Sequence, residues 1–300
     1  MEFNSADLLL FMPIIFYGLA GLVLGYLVIS LFLTYLVQEI PRHPVTDAPD
    51  WGSVVDTIIP AIDGGSLEVW RIDPEAPSRG IVVFAHGWGR NRDRMVKRAR
   101  QFAEWGFTTV IHSARDHGNS SPKRFMNAVK FAEDIEAVLK WVNAPVLLYG
   151  HSAGSAGAIL AASRNPSTVQ LLFLEASYAH TKEALMSLYR WVNPVFGNLF
   201  GPMIILWMSL FYKGELEKYS PARLAKQIKM PVMIIHGMKD QRFPVSFALQ
   251  LKQSFLHDKV ACYLAKDAGH SDASLTKGYN AAIQSFMAEY LDVADNSASE

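Results

Sequence analysis

Thiols are almost missing from this chain: of its 300 residues one is cysteine, Cys262. That excludes an intrachain disulfide and any zinc site built from several thiolates. Net charge is missing too, since 28 Lys and Arg stand against 28 Asp and Glu. Proteins that bind nucleic acid through its phosphates carry a basic surplus, so a polyanion is not the expected partner. Charge is wholly absent from two long stretches, 8–37 and 191–212. What is plentiful is apolar surface: half of the residues are hydrophobic, enough for a large core and too many for a disordered or fibrous chain.

The first uncharged stretch, Leu8 to Val37, runs for about 30 positions, where about 20 suffice for a helix to cross a bilayer. Glu2 and Asp7 precede it, whereas a cleaved signal peptide has a basic start and a shorter apolar core. Residues 1–40 therefore read as an uncleaved membrane anchor. Arg42 behind the span and the unpaired thiol favour a single-pass protein with its C-terminal domain on the cytoplasmic side. Pro41, Pro44 and Pro49 cannot continue the helix, so 41–52 is expected as a linker, 53–294 as the globular domain and 295–300 as a disordered tail.

Within that domain, short apolar runs at 54–59, 67–72, 80–85, 107–112, 145–149, 169–174, 231–236 and 259–265 read as strands. Amphipathic segments at 92–105, 126–142, 153–164, 245–255 and 271–291 read as the helices between them. From the third strand on, most runs are continuously apolar, as in a parallel sheet covered on both faces. The expected class is a doubly wound, mostly parallel α/β fold, with ligands at the carboxyl ends of the strands.

Chemistry is sought at those ends. Gly150-His151-Ser152-Ala153-Gly154 follows a strand and opens a helix, the context that the G-x-S-x-G motif requires. Glycines permit a turn too sharp for larger side chains and leave the Ser152 hydroxyl at its tip. A serine hydroxyl needs a base oriented by a carboxylate, which in this architecture follow in the order Ser, Asp or Glu, His after later strands. Of nine histidines His270, after the last strand, meets that demand, and Asp240 lies after the strand before it. Glu175, at the end of the sixth strand, is the rival orienter. His86-Gly87-Trp88-Gly89 follows the third strand, so the backbone amides of Trp88 and Ala153 are the expected oxyanion hole, with the His86 ring only bracing the loop. Ser155 reads as a small packing residue.

With these residues in place the chain resembles the α/β-hydrolase superfamily, in its serine esterase, lipase and thioesterase-like branches, over about residues 54–291. Arg115-Asp116-His117-Gly118-Asn119-Ser120 resembles that family's R-G-H-G-x-S loop, with Asp116 in place of its first glycine, and Tyr219-Ser220-Pro221 resembles the segment leaving the cap. The resemblance implies hydrolysis of an ester or thioester through an acyl-enzyme, without a cofactor or metal, and Ser152 excludes the branches that use Asp there. Two other readings stand beside it. A membrane-tethered peptidase of the prolyl-aminopeptidase type would need an acidic amine site, for which Glu175, Glu183, Glu215 and Glu217 form no convincing cluster. A noncatalytic scaffold would leave the intact motif set unexplained.

The second apolar stretch cannot be a single crossing, because Ser152 would then be separated by the bilayer from Asp240 and His270. Pro194, Gly197, Gly201 and Pro202 break it into short pieces. It is expected as a cap over the site, about 177–219, lining an acyl pocket and dipping into the membrane interface beside the anchor. Trp207 in this stretch, and Arg90 and Arg92 in the basic cluster after the oxyanion loop, are the expected substrate contacts. The other charges of that cluster, Arg98 and Arg100 included, read as a solvated helix face.

Overall fold

Every apolar run forecast as a strand is one: β1 (Ser53–Pro60), β2 (Ser66–Asp73), β3 (Ile81–Ala85), β4 (Thr108–His112), β5 (Val146–His151), β6 (Val169–Glu175), β7 (Val232–Gly237) and β8 (Val260–Ala265). In the computed structural model, which describes residues 5–297, they form one sheet in the order β1-β2-β4-β3-β5-β6-β7-β8. β2 pairs antiparallel with both β1 and β4, and all other neighbours are parallel. β5 and β7 are buried along their whole length, the reason their sequences are apolar without alternation. β1, an edge strand, is mostly exposed and alternates poorly.

Ten helices accompany the sheet among the described residues. α1 (Ser5–Leu36) precedes it and carries the run Met12–Leu36, long and apolar enough to cross a membrane. α2 (Val96–Glu104) lies on one face, and α3 (Ala128–Val142) and α4 (Ala153–Arg164) pack together on the other. Small residues let that last pair approach closely: a Cβ on Gly157 would sit 2.7 Å from Phe131 Cβ. Between β6 and β7 the chain leaves the sheet to build the cap from α5 (Thr181–Val192), α6 (Pro194–Leu199) and α7 (Gly201–Phe211), and α8 (Pro221–Leu224) brings it back. α9 (Val245–Gln253) joins the face of α3 and α4, and α10 (Tyr279–Ser297) the face of α2. The forecast breaks are present, with Asn193 capping α6 by accepting the Phe196 N–H at 2.9 Å and Pro202 in the first turn of α7.

α1 does not stand apart from the globular part. Its C-terminal half packs along α7. Tyr26 Oη donates to the Leu199 carbonyl at 2.7 Å, Trp207 Nε1 to Ser30 Oγ at 3.0 Å and Tyr212 Oη to Gln38 Oε1 at 2.8 Å. The linker is pinned as well: Asn91 Nδ2 donates to the His43 and Pro44 carbonyls, both at 3.0 Å, and Asp93 accepts the Thr46 N–H at 3.1 Å. Of the tail expected at 295–300, residues 295–297 continue α10 and 298–300 lie outside the described residues.

Candidate active site

β5 ends in a turn that only this sequence pattern tolerates. Ser152 has φ 55° and ψ −119°, a conformation rare for a residue with a side chain. A Cβ on Gly150 would lie 2.6 Å from both Gly154 O and Ser155 Cα, and one on Gly154 would collide with the carbonyls of Ala85 and His86. The turn is tied down by three hydrogen bonds. Ser152 N–H donates to Glu175 O at 2.9 Å, while Ser155 N–H and Ser155 Oγ donate to Ser152 O at 2.9 and 2.6 Å. Ser155, read as a packing residue, is thus a strut of the turn.

The loops after β7 and β8 bring two side chains to that tip. His270 Nε2 lies 2.9 Å from Ser152 Oγ, and His270 Nδ1 lies 2.7 Å from Asp240 Oδ2. Asp240 is buried, and its other oxygen accepts the N–H groups of Arg242 at 2.8 Å and Phe243 at 3.0 Å. Burial pushes its carboxyl up, but the hydrogen bond and charge of His270 and the Phe243 amide outweigh this and hold it below its ordinary value. It therefore remains a carboxylate facing the imidazole, which fixes the proton on Nδ1 and leaves Nε2 free to accept one from Ser152.

Gly87 lies close enough to the turn that a Cβ there would sit 3.0 Å from Ser152 Cβ, which brings the β3 loop against the hydroxyl. Trp88 and Ala153 line the cavity above Ser152, and among the described residues neither backbone amide donates to another group. Two buried imidazoles brace this loop. His86 Nδ1–H donates to Gly87 O at 2.7 Å while Nε2 accepts the Ala114 N–H at 2.9 Å, and His117 Nε2 accepts the Gly89 N–H at 3.2 Å. Accepting rings are neutral rings, and burial pushes both pKa values below the usual imidazole value.

Glu175 does not reach His270. It is fully buried beneath the turn, forks with Arg98 and accepts the Tyr149 hydroxyl at 2.8 Å. Arg98, expected on a solvated face, is buried and also donates to the Ser271 carbonyl at 3.1 Å, beside His270. Its spacing among other charges hid this, because one inward position on a helix looks like its outward neighbours.

The expected substrate contacts are corrected. Arg92 is buried, pairs with Asp56 and Glu68 and stacks on Trp70, so it belongs to the far end of the sheet edge and not to the cavity. Arg90 is exposed and is not part of the cavity wall, and Trp207 is turned towards Ser30 of α1. The cavity, about 520 Å³, is lined instead by cap residues such as Leu185, Leu188, Met208 and Phe211, by Met126 and Phe243, and by two cations, Lys213 and Arg242. Val37 and Gln38, from the end of the apolar N-terminal segment, complete its wall. Nothing in their sequence context marks them; only the packing of α1 on α7 brings them there.

Residues 76–218 match the family described as serine aminopeptidase, S33. Among curated proteins the chain is 23% identical over 240 residues to an uncharacterized Bacillus subtilis protein, YqkD, covering 77% of this chain and 78% of that one. It is 22% identical over 214 residues to a monoacylglycerol lipase of Mycolicibacterium smegmatis, covering 60% and 76%. Among solved structures, the Pyrococcus furiosus esterase Pf2001 superposes with a TM-score of 0.66 at 18% identity, over 84% of this chain and 99% of that one. With a sheet of this order and a serine on this turn, the chain has the α/β-hydrolase fold, and the proteins it is similar to include esterases and a lipase.

Proposed function

We propose that the chain is a membrane-anchored serine hydrolase that cleaves carboxylic esters or thioesters of acyl-chain substrates through Ser152, His270 and Asp240. The observation that carries this reading is the 2.9 Å contact of Ser152 Oγ with His270 Nε2 on the floor of an apolar cavity. Ser152 Oγ attacks the carbonyl carbon as His270 takes its proton, and the amides of Trp88 and Ala153 receive the oxyanion. His270 then protonates the leaving oxygen or sulfur, the acyl group stays on Ser152, and water activated by the same ring releases the acid. Asp240 supports the imidazolium in both halves.

Anchoring is supported by the run Met12–Leu36 and by the cap beside it, where Val192, Val195, Leu199, Leu206, Leu210 and Phe211 each expose 49–74% of their surface. That much bare apolar area suits a cap resting in a bilayer interface. Ser152→Ala should abolish labelling by a fluorophosphonate probe and lower ester turnover by on the order of 10³ or more. Labelling that survives the substitution would move the nucleophile elsewhere.

Peptidase activity is the second reading, favoured by the description of the matching family. An aminopeptidase needs a carboxylate for the substrate ammonium. Among the described residues the one acid on the cavity wall, Glu215, is paired with Lys218 at 2.7 Å, and Lys213 and Arg242 there are cations. Turnover of p-nitrophenyl esters and not of amino-acid anilides is therefore expected; the reverse preference would replace the ester reading, and silence on both would leave a scaffold.

A further inference from the structure

Beside the catalytic cavity lies a second apolar space of about 610 Å³. One wall is α1 itself, through Val28, Leu31, Phe32 and Tyr35. The other is Phe125, from the loop before α3, with Phe211 at the end of α7. Its floor is Gln38 and Tyr212, and Gln38, Phe211 and Tyr212 also line the catalytic cavity, so the two spaces share a partition. The partition is held by one chain of hydrogen bonds: Tyr212 Oη donates to Gln38 Oε1 at 2.8 Å, and Gln38 Nε2 donates to Thr34 O at 2.7 Å.

Depth gives this groove its meaning. At 1.5 Å per residue, Val28 lies about 12 Å along the helix axis from Leu36, the last residue of the apolar run. With α1 spanning a bilayer, this wall of the groove lies at acyl-chain depth, while Gln38 and Tyr212 of its floor also line the cavity over Ser152. At the level of Tyr35 stands Arg124, whose guanidinium donates to Tyr35 Oη at 2.6 Å and, among the described residues, meets no carboxylate. A cation at the headgroup end and bare hydrocarbon below it match one amphiphile in one orientation.

We propose that this groove is a binding site for the acyl chain of a bilayer lipid ester, and that the ester passes from it to Ser152 between Gln38 and Tyr212, whose hydrogen bond closes the passage at rest. This rests on the reading of Ser152 as nucleophile and of α1 as a membrane span. α1 is then more than a tether. It forms half of the substrate route, and substrate is selected by being in the membrane.

The full chain in phosphatidylcholine nanodiscs tests the route. Two substrates are compared, a long-chain lipid ester held in the disc and water-soluble p-nitrophenyl butyrate. Leu31→Trp fills the groove without touching the catalytic cavity, and the ratio of bilayer to soluble turnover should fall about fivefold or more. Tyr212→Phe breaks the partition's hydrogen bond, and the same ratio should rise. Ratios that stay at the wild-type value in both variants would overturn the route. A measurement independent of turnover uses the Ser152→Ala protein with a phosphatidylcholine bearing a diazirine near its chain end. Photolysis should label Phe125, which lies off the anchor helix, and Leu31→Trp should suppress that label. Labelling confined to the outward face of α1 would overturn the site. Fluorophosphonate capture at Ser152 is scored separately, so failure of the hydrolase reading and failure of the groove are told apart.

Discussion

Ser152 carries a backbone conformation that costs about 1–3 kcal/mol and persists because its surroundings over-determine it. Glu175 O, Ser155 and the two flanking glycines do that here, and the strain holds the hydroxyl clear of its own helix and against His270. In the proposed mechanism Asp240 acts through the ring. Asp240→Asn keeps the volume but lets the imidazole take the wrong tautomer, so kcat should fall on the order of 10⁴ with KM little changed. A large rise in KM at constant kcat would place Asp240 in substrate binding instead. Beneath the turn, Arg98 and Glu175 are each buried and satisfy one another. Glu175→Gln strands the Arg98 charge and should destabilise the fold by about 3–5 kcal/mol in urea unfolding. Adding Arg98→Met should restore a good part of this, whereas additive losses would show that the pair does not act as one.

At the scale of elements, the seam between α1 and α7 joins the apolar N-terminal segment to the cap. Ser30 and Thr34 are fully buried on this helix, Ser30 against the cap, and among its described side chains the exposed ones are apolar apart from the hydroxyls of Tyr17 and Tyr35. This is how helices meet inside lipid, where apolar faces gain nothing by leaving hydrocarbon and hydrogen bonds supply the specificity. A double-mutant cycle of Ser30→Ala and Trp207→Phe should return a coupling of roughly 0.6 kcal/mol in thermal unfolding in detergent. Zero coupling would assign the seam to van der Waals packing alone. The cap is also held by Ser187 Oγ, which donates to the Arg242 carbonyl at 2.7 Å, and by Arg242 over the Trp191 ring, so the seam shares with these contacts the seating of the cap over Ser152.

Across the whole molecule, acid is the expected weak point. His86, His112, His117, His151 and His236 are buried, and burial pushes all five below the ordinary imidazole value, His112 to about 4. The unfolded chain takes up these protons near ~6.5, so the stability held by neutral rings is complete above that pH and is lost as pH falls from there towards 4. His112 alone accounts for about 3 kcal/mol over that window as an upper bound. Asp134 works in the opposite sense, its carboxyl pushed up by burial to about 7 against the pull of Arg115, but the histidines outnumber it. The urea midpoint should therefore drop between pH 6.5 and pH 4, and His112→Gln should flatten the drop; a midpoint that rose on acidification would contradict the burial of these rings as neutral groups.

The sequence by itself determined every strand of the sheet, because each is a short apolar run bounded by turn residues, and it determined where Ser152, Asp240 and His270 would be sought, because chain order and strand ends suffice for that. It also pointed to an insertion between the sixth and seventh strands, since Pro194 and Pro202 break an apolar stretch whose single crossing of a bilayer would part Ser152 from Asp240 and His270. Tertiary structure alone decided what those elements touch. Arg92, Arg98 and Trp207 each sit in a local pattern that reads as surface or site, yet the first two face buried carboxylates and the third faces α1. Gln38 and Tyr212 are far apart in the chain and carry no motif, and they meet because two helices cross. Periodicity records which face of an element is apolar, whereas a partner far away in the chain leaves no period in the sequence, so the floor of the candidate site was legible and its walls were not.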